Sequence, residues 1–211
     1  MGTVIRPAGP EDKEKVAQLV YLAGSGHLVN SLFDGMFGSS RPETLKYLER
    51  LFAAESRSWF HWSRCFVAEV DGEVAATSCG YSETDGGLAE LKHALVETTG
   101  WQPAGYEAMG ERIRPLMKVK PAAPHDVWIV ENVAAFPEFR GRGLVRSLLQ
   151  AVFEKGREKG FKRAQITLVI GNVEAERAYE KAGFRPFDEH TDASFEKVFG
   201  APGMRTFVCD L

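Results

Sequence analysis

Apolar residues recur along this chain with two spacings, one typical of helices and the other typical of strands. The clearest helix pattern places apolar residues at i, i+3, i+4, i+7 and i+8, the stripe of a helix that faces a core: Val145, Leu148, Leu149, Val152 and Phe153. Gly160 then ends this helix. Residues 126–135, which precede it, are rich in β-branched side chains and predict a long strand buried on both faces.

Further elements follow in alternation towards the carboxyl end. Residues 161–170 predict a strand, residues 173–182 a helix that ends at Gly183, and residues 204–211 a final strand. Because strand, helix, strand and helix succeed one another across residues 126–182, we expect a parallel strand pair with a right-handed crossover.

A hairpin is predicted earlier in the chain. Residues 65–70 and 73–78 flank Asp71-Gly72, a two-residue turn sequence that suits positive φ at both central positions. The hairpin makes these two strands antiparallel. Together with the parallel pair, it predicts a mixed α/β sheet.

The amino-terminal part predicts a strand at residues 3–6 and then a helix that begins near Pro10. We expect Gly24 and Gly26 to stop that helix. Pro42 begins a second predicted helix in the same way.

Residues 81–124 form the least regular stretch of the sequence. We expect one helix carrying Leu88, Leu91 and Leu95, and a second that is interrupted at Pro115. The stretch is longer than a connector needs, so we interpret it as an insertion packed over the sheet.

Composition limits the classes of function. The chain has 211 residues, 44% of them hydrophobic, which suffices for one domain with a sizeable core. Lys and Arg number 26 against 29 Asp and Glu, a net charge of −3, so we expect neither a nucleic-acid nor a membrane partner. No apolar run reaches the ~20 residues of a membrane span, and the amino terminus has no apolar signal core. The sequence is compatible with a homodimer.

The cysteines and histidines do not form a recognisable site pattern. Cys65, Cys79 and Cys209 are an odd set without close pairs, which argues against a disulfide framework or a zinc site. We expect Cys65 and Cys79 to be core thiols on opposed hairpin strands, in a protein of the reducing cytoplasm. The five histidines have no metal-ligand spacing, so no metal is predicted.

Residues 136–149, F-P-E-F-R-G-R-G-L-V-R-S-L-L, join a glycine turn directly to the predicted helix. The N–H groups at a helix start lack intrahelical partners and carry the positive end of the helix dipole, so such a turn can hold a phosphate. Arg140, Arg142 and Arg146 add positive charge. The alternative is a solvated, arginine-rich helix entry. A Walker A loop is excluded because Leu144-Val145 follows Gly143, and a dinucleotide fingerprint lacks its third glycine.

A second motif follows the next predicted strand. It covers residues 172–184, N-V-E-A-E-R-A-Y-E-K-A-G-F. Taken together, the two motifs resemble those of the GNAT superfamily of acyl-CoA-dependent N-acyltransferases. The family's N-x-x-A-x-x-x-Y-E-K-x-G-F is matched throughout, and its turn Q/R-x-x-G-x-G/A is matched by Arg140 and Gly143, with Val145 in place of the last small residue.

The resemblance implies a GNAT-like fold, in which a central, mostly antiparallel sheet with one splayed parallel pair is flanked by helices. It also implies acetyl-CoA as cosubstrate, without a metal, its pyrophosphate bound by the turn and its pantetheine arm paired with the strand before it. The implied cofactor-binding residues are Val133, Ala135, Arg140, Gly141, Arg142, Gly143, Leu144, Val145, Arg146, Asn172 and Tyr179. Asn172 can equally act as a helix N-cap.

Two residues are candidates for catalysis. Tyr179 would lie beside the sulfur, and a phenol that stays protonated at neutral pH suits a proton donor to a leaving thiolate. Glu131 is the candidate base for the amine, directly or through water, with a carboxylate paired to an arginine as the alternative. Strand alternation puts Glu131 on the face of Ile129 and Val133 unless a bulge intervenes.

The sequence therefore predicts one domain over residues 1–211, with substrate-side insertions at 25–60 and 81–124, that acetylates a primary amine of a small molecule or peptide. The alternatives are an acyl-CoA sensor without catalysis and a nucleotide-binding regulatory domain. The insertions hold aromatic residues and carboxylates that could receive a cationic or aromatic amine, although ordinary core packing explains them too: Trp59, Trp62, Tyr81, Trp101, Tyr106, Glu83, Asp85, Glu90 and Glu97.

Overall fold

The computed structural model describes residues 2–122 and 124–211. Its centre is a sheet in the order β1-β2-β3-β4-β5-β7-β6, in which β4 and β5 are parallel and the other neighbouring pairs are antiparallel. The strands are β1 Thr3–Pro7, β2 Cys65–Val70, β3 Glu73–Tyr81, β4 Trp128–Ala135, β5 Arg163–Val169, β6 Arg185–Thr191 and β7 Gly203–Asp210. The mixed sheet predicted from the sequence is confirmed.

Helices cover both faces of this sheet. They are α1 Lys13–Ser25, α2 Leu32–Phe37, α3 Arg41–Phe52, α4 Leu88–Thr99, α5 Pro103–Val119, α6 Leu144–Glu158, α7 Val173–Lys181 and α8 Ala193–Phe199. The predicted apolar stripe of α6 is buried except for the half-buried Val145, and its Leu149 and Val152 pack with Trp128 and Val130 of β4. On the opposite face, Leu19 of α1 shares a core with Ile129.

The parallel pair opens into a V. β4 and β5 pair only from Trp128 with Ala164 to Val130 with Ile166, although both strands continue well beyond these residues. From Glu131 onwards, the edge of β4 that faces β5 therefore has no strand partner. This splay creates the space in which the candidate site lies.

A β-bulge changes the direction of the side chains halfway along β4. Asn132 has φ 55°, and the pairing with β3 shifts between Cys79, opposite Glu131, and Thr77, opposite Ala134. Glu131 therefore keeps the face of Ile129, while Ala134 rather than Val133 occupies that face after the bulge. The sequence-based expectation placed Val133 on the face of Glu131 unless a bulge intervened, and the bulge at Asn132 is that exception.

Two helix boundaries differ from prediction. Gly24 lies inside α1, and a Cβ at this position would meet the Phe33 ring at 2.3 Å, so this glycine makes room for a neighbour rather than stopping the helix. Gly26 is the C-cap, as predicted. Pro115 does not interrupt α5. The proline removes one main-chain N–H, and contacts that the neighbouring residues of α5 make with α2 and α8 offset this loss. Arg112 donates to the carboxyl-terminal carbonyl groups of α2, and Leu116 packs against the core formed with α8.

The expectation about the cysteines is wrong. Cys65 and Cys79 are joined by a disulfide between directly opposed positions of the hairpin, with Cα atoms 4.0 Å apart. A regular two-residue hairpin at Asp71-Gly72 would place Ser78 opposite Cys65, and the register shift between Ala68 and Glu69 brings Cys79 there instead. Cys209 is the free, buried thiol of the described residues. The cytoplasmic location was predicted because the cysteines were expected to be unpaired. The disulfide removes that reason, and the location stays a prediction.

Candidate active site

A cavity of about 800 Å³ fills the V between β4 and β5. The turn before α6 and the first turns of α7 bound one side of this cavity, and residues from α1, α2, α4 and α5 bound the other. It is the setting in which the residues singled out from the sequence meet. Most of them line its wall: Glu131, Val133, Ala135, Arg140, Gly141, Gly143, Leu144, Val145, Asn172 and Tyr179.

The glycine turn has the geometry of an anion cradle. Gly141 and Gly143 have φ values of 75° and 78°, in the left-handed region that glycine adopts without strain. Across the described residues, the main-chain N–H groups from Gly141 to Arg146 donate to no protein acceptor, and the first N–H engaged is that of Ser147. A Cβ at either glycine would meet nothing within 4 Å, so the space above the turn is open.

The three arginines of the turn are not equivalent. Arg140 lines the cavity, donates to the carbonyl of Ala135 at 3.4 Å and lies 3.7 Å from the Glu174 carboxylate. Arg142 and Arg146 are exposed and do not belong to the cavity wall. The guanidinium of Arg142 instead lies over the ring of Phe139, 5.2 Å from its centroid. The sequence could not distinguish the three arginines, because the conformation of the turn decides where each side chain points.

α7 begins at the cavity and carries Tyr179 into it. The Asn172 side chain accepts a hydrogen bond from the N–H of Ala175 at 3.2 Å, so the predicted N-cap is confirmed. Tyr179 is 6% exposed, and its ring meets the edge of Phe184 at 6.0 Å between centroids. Burial raises the pKa of Tyr179 above its usual value, so the phenol stays protonated. Within residues 2–122 and 124–211, no protein group hydrogen-bonds its hydroxyl.

Glu131 faces the same cavity from the middle of β4. Its Oε1 accepts a hydrogen bond from the Tyr81 hydroxyl at 3.2 Å, whereas the sequence had offered an arginine as its alternative partner. Burial raises the pKa of Glu131, although the Tyr81 hydrogen bond and the positive charge of Lys120 oppose this shift. A carboxylate with a raised pKa can both accept and hold a proton near neutral pH.

The aromatic residues and carboxylates of the insertions divide into two groups. Trp59 and Tyr81 line the cavity, stacked with ring centroids 5.4 Å apart. None of the other residues that the sequence suggested for substrate contact belongs to the wall: Trp62, Trp101, Tyr106, Glu83, Asp85, Glu90 and Glu97. Trp101 and Tyr106 pack against the core instead, as ordinary core packing had predicted.

Some wall residues gave no signal in the sequence. Lys120 holds its ammonium group 5.4 Å from the Trp59 centroid. Gln165 of β5 is buried and donates to the carbonyl of Ala122 at 3.2 Å. Phe33 reaches the wall from α2, a helix that the sequence analysis did not predict. The signal that could have found α2 is Ser31, whose side chain caps it.

Within residues 2–122 and 124–211, no group of three or more His, Cys, Asp or Glu side chains is placed to hold a metal ion. Among the helices of the same residues, none has the length and hydropathy needed to cross a membrane.

Comparison with known proteins identifies the fold. An N-acetyltransferase from Staphylococcus aureus Mu50 has a TM-score of 0.68 at 22% identity, over 97% of this chain and 99% of its own. A GCN5-related N-acetyltransferase from Kribbella flavida has a TM-score of 0.60 at 17% identity, over 99% and 98%. The polyamine N-acetyltransferase of Drosophila melanogaster, which forms N-acetylagmatine, has a TM-score of 0.53 at 17% identity over 100% of both chains.

These identities show a shared fold rather than a shared substrate. No curated protein matches the chain significantly in sequence. The model of the acetyltransferase (GNAT) family matches residues 30–184, which include the splayed strands, the glycine turn and α7. From this match and the fold around the cavity, we conclude that the chain belongs to the acetyltransferase (GNAT) family.

Proposed function

We propose that this protein transfers the acetyl group of acetyl-CoA directly to a primary amine in a ternary complex. The observation that carries the proposal is the position of Glu131 and Tyr179 on one cavity, whose entrance is a turn of free N–H groups. A binding sensor would need the turn alone, whereas the two side chains supply a base and an acid.

The turn fits the pyrophosphate of acetyl-CoA. Consecutive N–H groups at the start of α6 present partial positive charge, and the open space above Gly141 and Gly143 leaves room for phosphate oxygens. Arg140 adds a full positive charge at the same wall. We assign this part of the site to Arg140, Gly141, Gly143, Leu144 and Val145, with Arg142 and Arg146 contributing from the exposed side.

The splayed edge of β4 fits the pantetheine arm, which carries amide groups. The main-chain groups of Val133 and Ala135 border the cavity on the side where β5 has separated, so an extended amide chain can pair with them as a strand would. The thioester at the end of that arm would then lie between Glu131 and Tyr179. Asn172, whose side chain caps α7, borders the same space.

Both catalytic side chains transfer protons in this mechanism. Glu131 accepts a proton from the ammonium form of the acceptor, directly or through a water molecule, so that the nitrogen lone pair can attack the thioester carbonyl. When the carbon–sulfur bond breaks, the hydroxyl of Tyr179 donates its proton to the departing sulfur. The attacking nitrogen loses its second proton to the resulting phenolate, directly or through water, and Glu131 releases its proton to solvent. The raised pKa of Glu131 suits a base that works near neutral pH, and the raised pKa of Tyr179 keeps its hydroxyl protonated until negative charge develops on the sulfur.

Ligand binding and turnover test the proposal separately. We expect saturating acetyl-CoA to raise the melting temperature through linkage, while free acetate does not. A thiol-release assay with a panel of primary amines should then show amine-dependent turnover. An unmoved melting temperature would remove the cofactor assignment. Stabilisation without turnover for any amine would favour the sensor.

A further inference from the structure

Beyond Glu131 the cavity is walled by aromatic rings that form a continuous series. Phe33 lies edge-on to Phe60 at 5.7 Å, Phe60 lies 5.5 Å from Trp59, and Trp59 stacks on Tyr81 at 5.4 Å, all between centroids. Tyr81 then hydrogen-bonds Glu131. We call Phe33, Phe60, Trp59 and Tyr81 the aromatic wall. This wall extends outwards from the Glu131 carboxylate, and none of its four side chains is charged.

Aliphatic side chains complete this end of the cavity. They come from α2, α4 and α5 and line the cavity: Met36, Leu88, Leu91, Ile113 and Leu116. The end of the cavity beyond Glu131 can therefore remove a large apolar group from water.

Charge is scarce in this end of the cavity. Among the described lining residues, Glu131 and Lys120 are the charged groups here, since Arg140, Glu174 and His27 line the part formed by the turn and the start of α7. The carboxylates of the insertion lie outside the described cavity wall, although the negative charge of Glu83 contributes to the raised pKa of Glu131. Asp85, for example, pairs with Arg64 and Lys159, and Glu97 accepts main-chain hydrogen bonds from Glu55 and Ser56.

Among the described residues, the wall at this end of the cavity offers one carboxylate, that of Glu131, to pair with an ammonium group. A single ammonium reaches Glu131, but a second cationic group on the same molecule would lie among apolar side chains or approach Lys120, which repels it. Because the described residues place no second carboxylate on this wall, the cavity favours an acceptor with one ammonium group over an acceptor with several.

We infer that the acceptor is a monoamine, a primary amine carried on one uncharged aromatic or bulky apolar body, rather than a polyamine. This inference rests on the proposed acetyl transfer and names its substrate class. The body lies against the aromatic wall, while the amine lies at Glu131.

Matched amines test the inference by turnover. With acetyl-CoA saturating, 2-phenylethylamine and tryptamine should have kcat/KM values at least ~10-fold above those of putrescine, agmatine and spermidine, the effect of burying one apolar group. A preference of similar size for the polyamines would overturn the inference while leaving acetyl transfer intact.

Binding of the amines can be measured without turnover, so a wrong acceptor class can be distinguished from a wrong transfer reaction. In the presence of CoA, 2-phenylethylamine should raise the melting temperature and spermidine should not. If 2-phenylethylamine binds but no amine is acetylated, the class of amine that the cavity binds is supported and the proposed transfer reaction is wrong. If neither amine binds nor reacts, the acceptor class is wrong.

A charge variant tests the wall itself. Met36→Glu adds a second carboxylate to the cavity, so the ratio of kcat/KM for spermidine over 2-phenylethylamine should rise by ~10-fold or more. Val96→Glu is the control, because Val96 is 64% exposed on α4 and lies outside the cavity wall. It changes the net charge equally and should leave the ratio unchanged. An equal change in both variants, or in neither, would contradict the inference.

Discussion

The hydroxyl of Tyr81 donates a 3.2 Å hydrogen bond to Oε1 of Glu131, between neighbouring strands β3 and β4. This contact links the aromatic wall to the carboxylate proposed as the base. It also opposes the effect of burial, since a hydrogen bond to the ionised form lowers the pKa that burial raises.

Removing this hydrogen bond should move the pH profile. In Tyr81→Phe the ionised form of Glu131 loses its donor, so its pKa rises further and the acid limb of kcat/KM shifts to higher pH. The measurement is kcat/KM against pH with a saturating acyl donor. An acid limb that stays in place, in a variant that is folded, would show that another group sets it.

Glu131→Gln should stabilise the protein at neutral pH. The folded-state pKa of Glu131 is raised above 4.5, so the folded state favours its protonated form, and stability is lost as pH rises through the raised pKa. The neutral amide avoids this loss and can still accept from Tyr81. The melting temperature of the variant should therefore exceed that of the parent at pH 7 to 8, with the two converging below about pH 4. The same variant should lose most of its turnover. A parent that is the more stable at pH 8 would contradict the burial argument.

Gly143→Asp should abolish binding of acetyl-CoA, because a carboxylate would stand where the pyrophosphate is proposed to lie. Gly143 has φ 78°, so any side chain here strains the turn, and Gly143→Ala is the matched control for that strain. We expect Ala to cost about 1–2 kcal/mol of stability and to retain measurable binding. Calorimetric titration with CoA compares the two. Equal affinities for Asp and Ala would place the anion elsewhere.

Tyr179→Phe should separate packing from chemistry. The ring keeps its contact with Phe184, and the group removed is a hydroxyl that has no hydrogen-bond partner among the described residues. Affinity for acetyl-CoA should change little, whereas turnover should fall by ~10²-fold or more, the usual scale of a general acid. Single-turnover measurement across pH avoids masking by product release. Equal losses of affinity and turnover would make the hydroxyl a binding contact, and wild-type turnover would assign the proton to another donor.

Local patterns were sufficient for much of the scaffold. The stripe from Val145 to Phe153, the Asp71-Gly72 turn and the Asn172 cap each depend on interactions within a few residues, so the sequence predicted them correctly. The glycine turn belongs to the same class, because left-handed φ values and free N–H groups at a helix start are local properties.

Features that depend on distant neighbours escaped the sequence analysis. The disulfide of Cys65 and Cys79 needs strand register, the role of Gly24 needs the Phe33 ring, and the continuity of α5 through Pro115 needs its packing on α2 and α8. In each case a tertiary contact outweighs a local preference or gives the residue a different role.

The sequence alone thus determined that this chain forms a mixed sheet, with a glycine turn before one helix and a tyrosine on the next helix, because periodicity and motif spacing are carried by the chain itself. Tertiary structure decided what those elements enclose. The bulge at Asn132 sets the directions of Glu131 and Val133, and the insertions place aromatic rings, rather than carboxylates, beside the proposed base. Side-chain direction and enclosure follow from the packing of segments far apart in sequence, which no local pattern records.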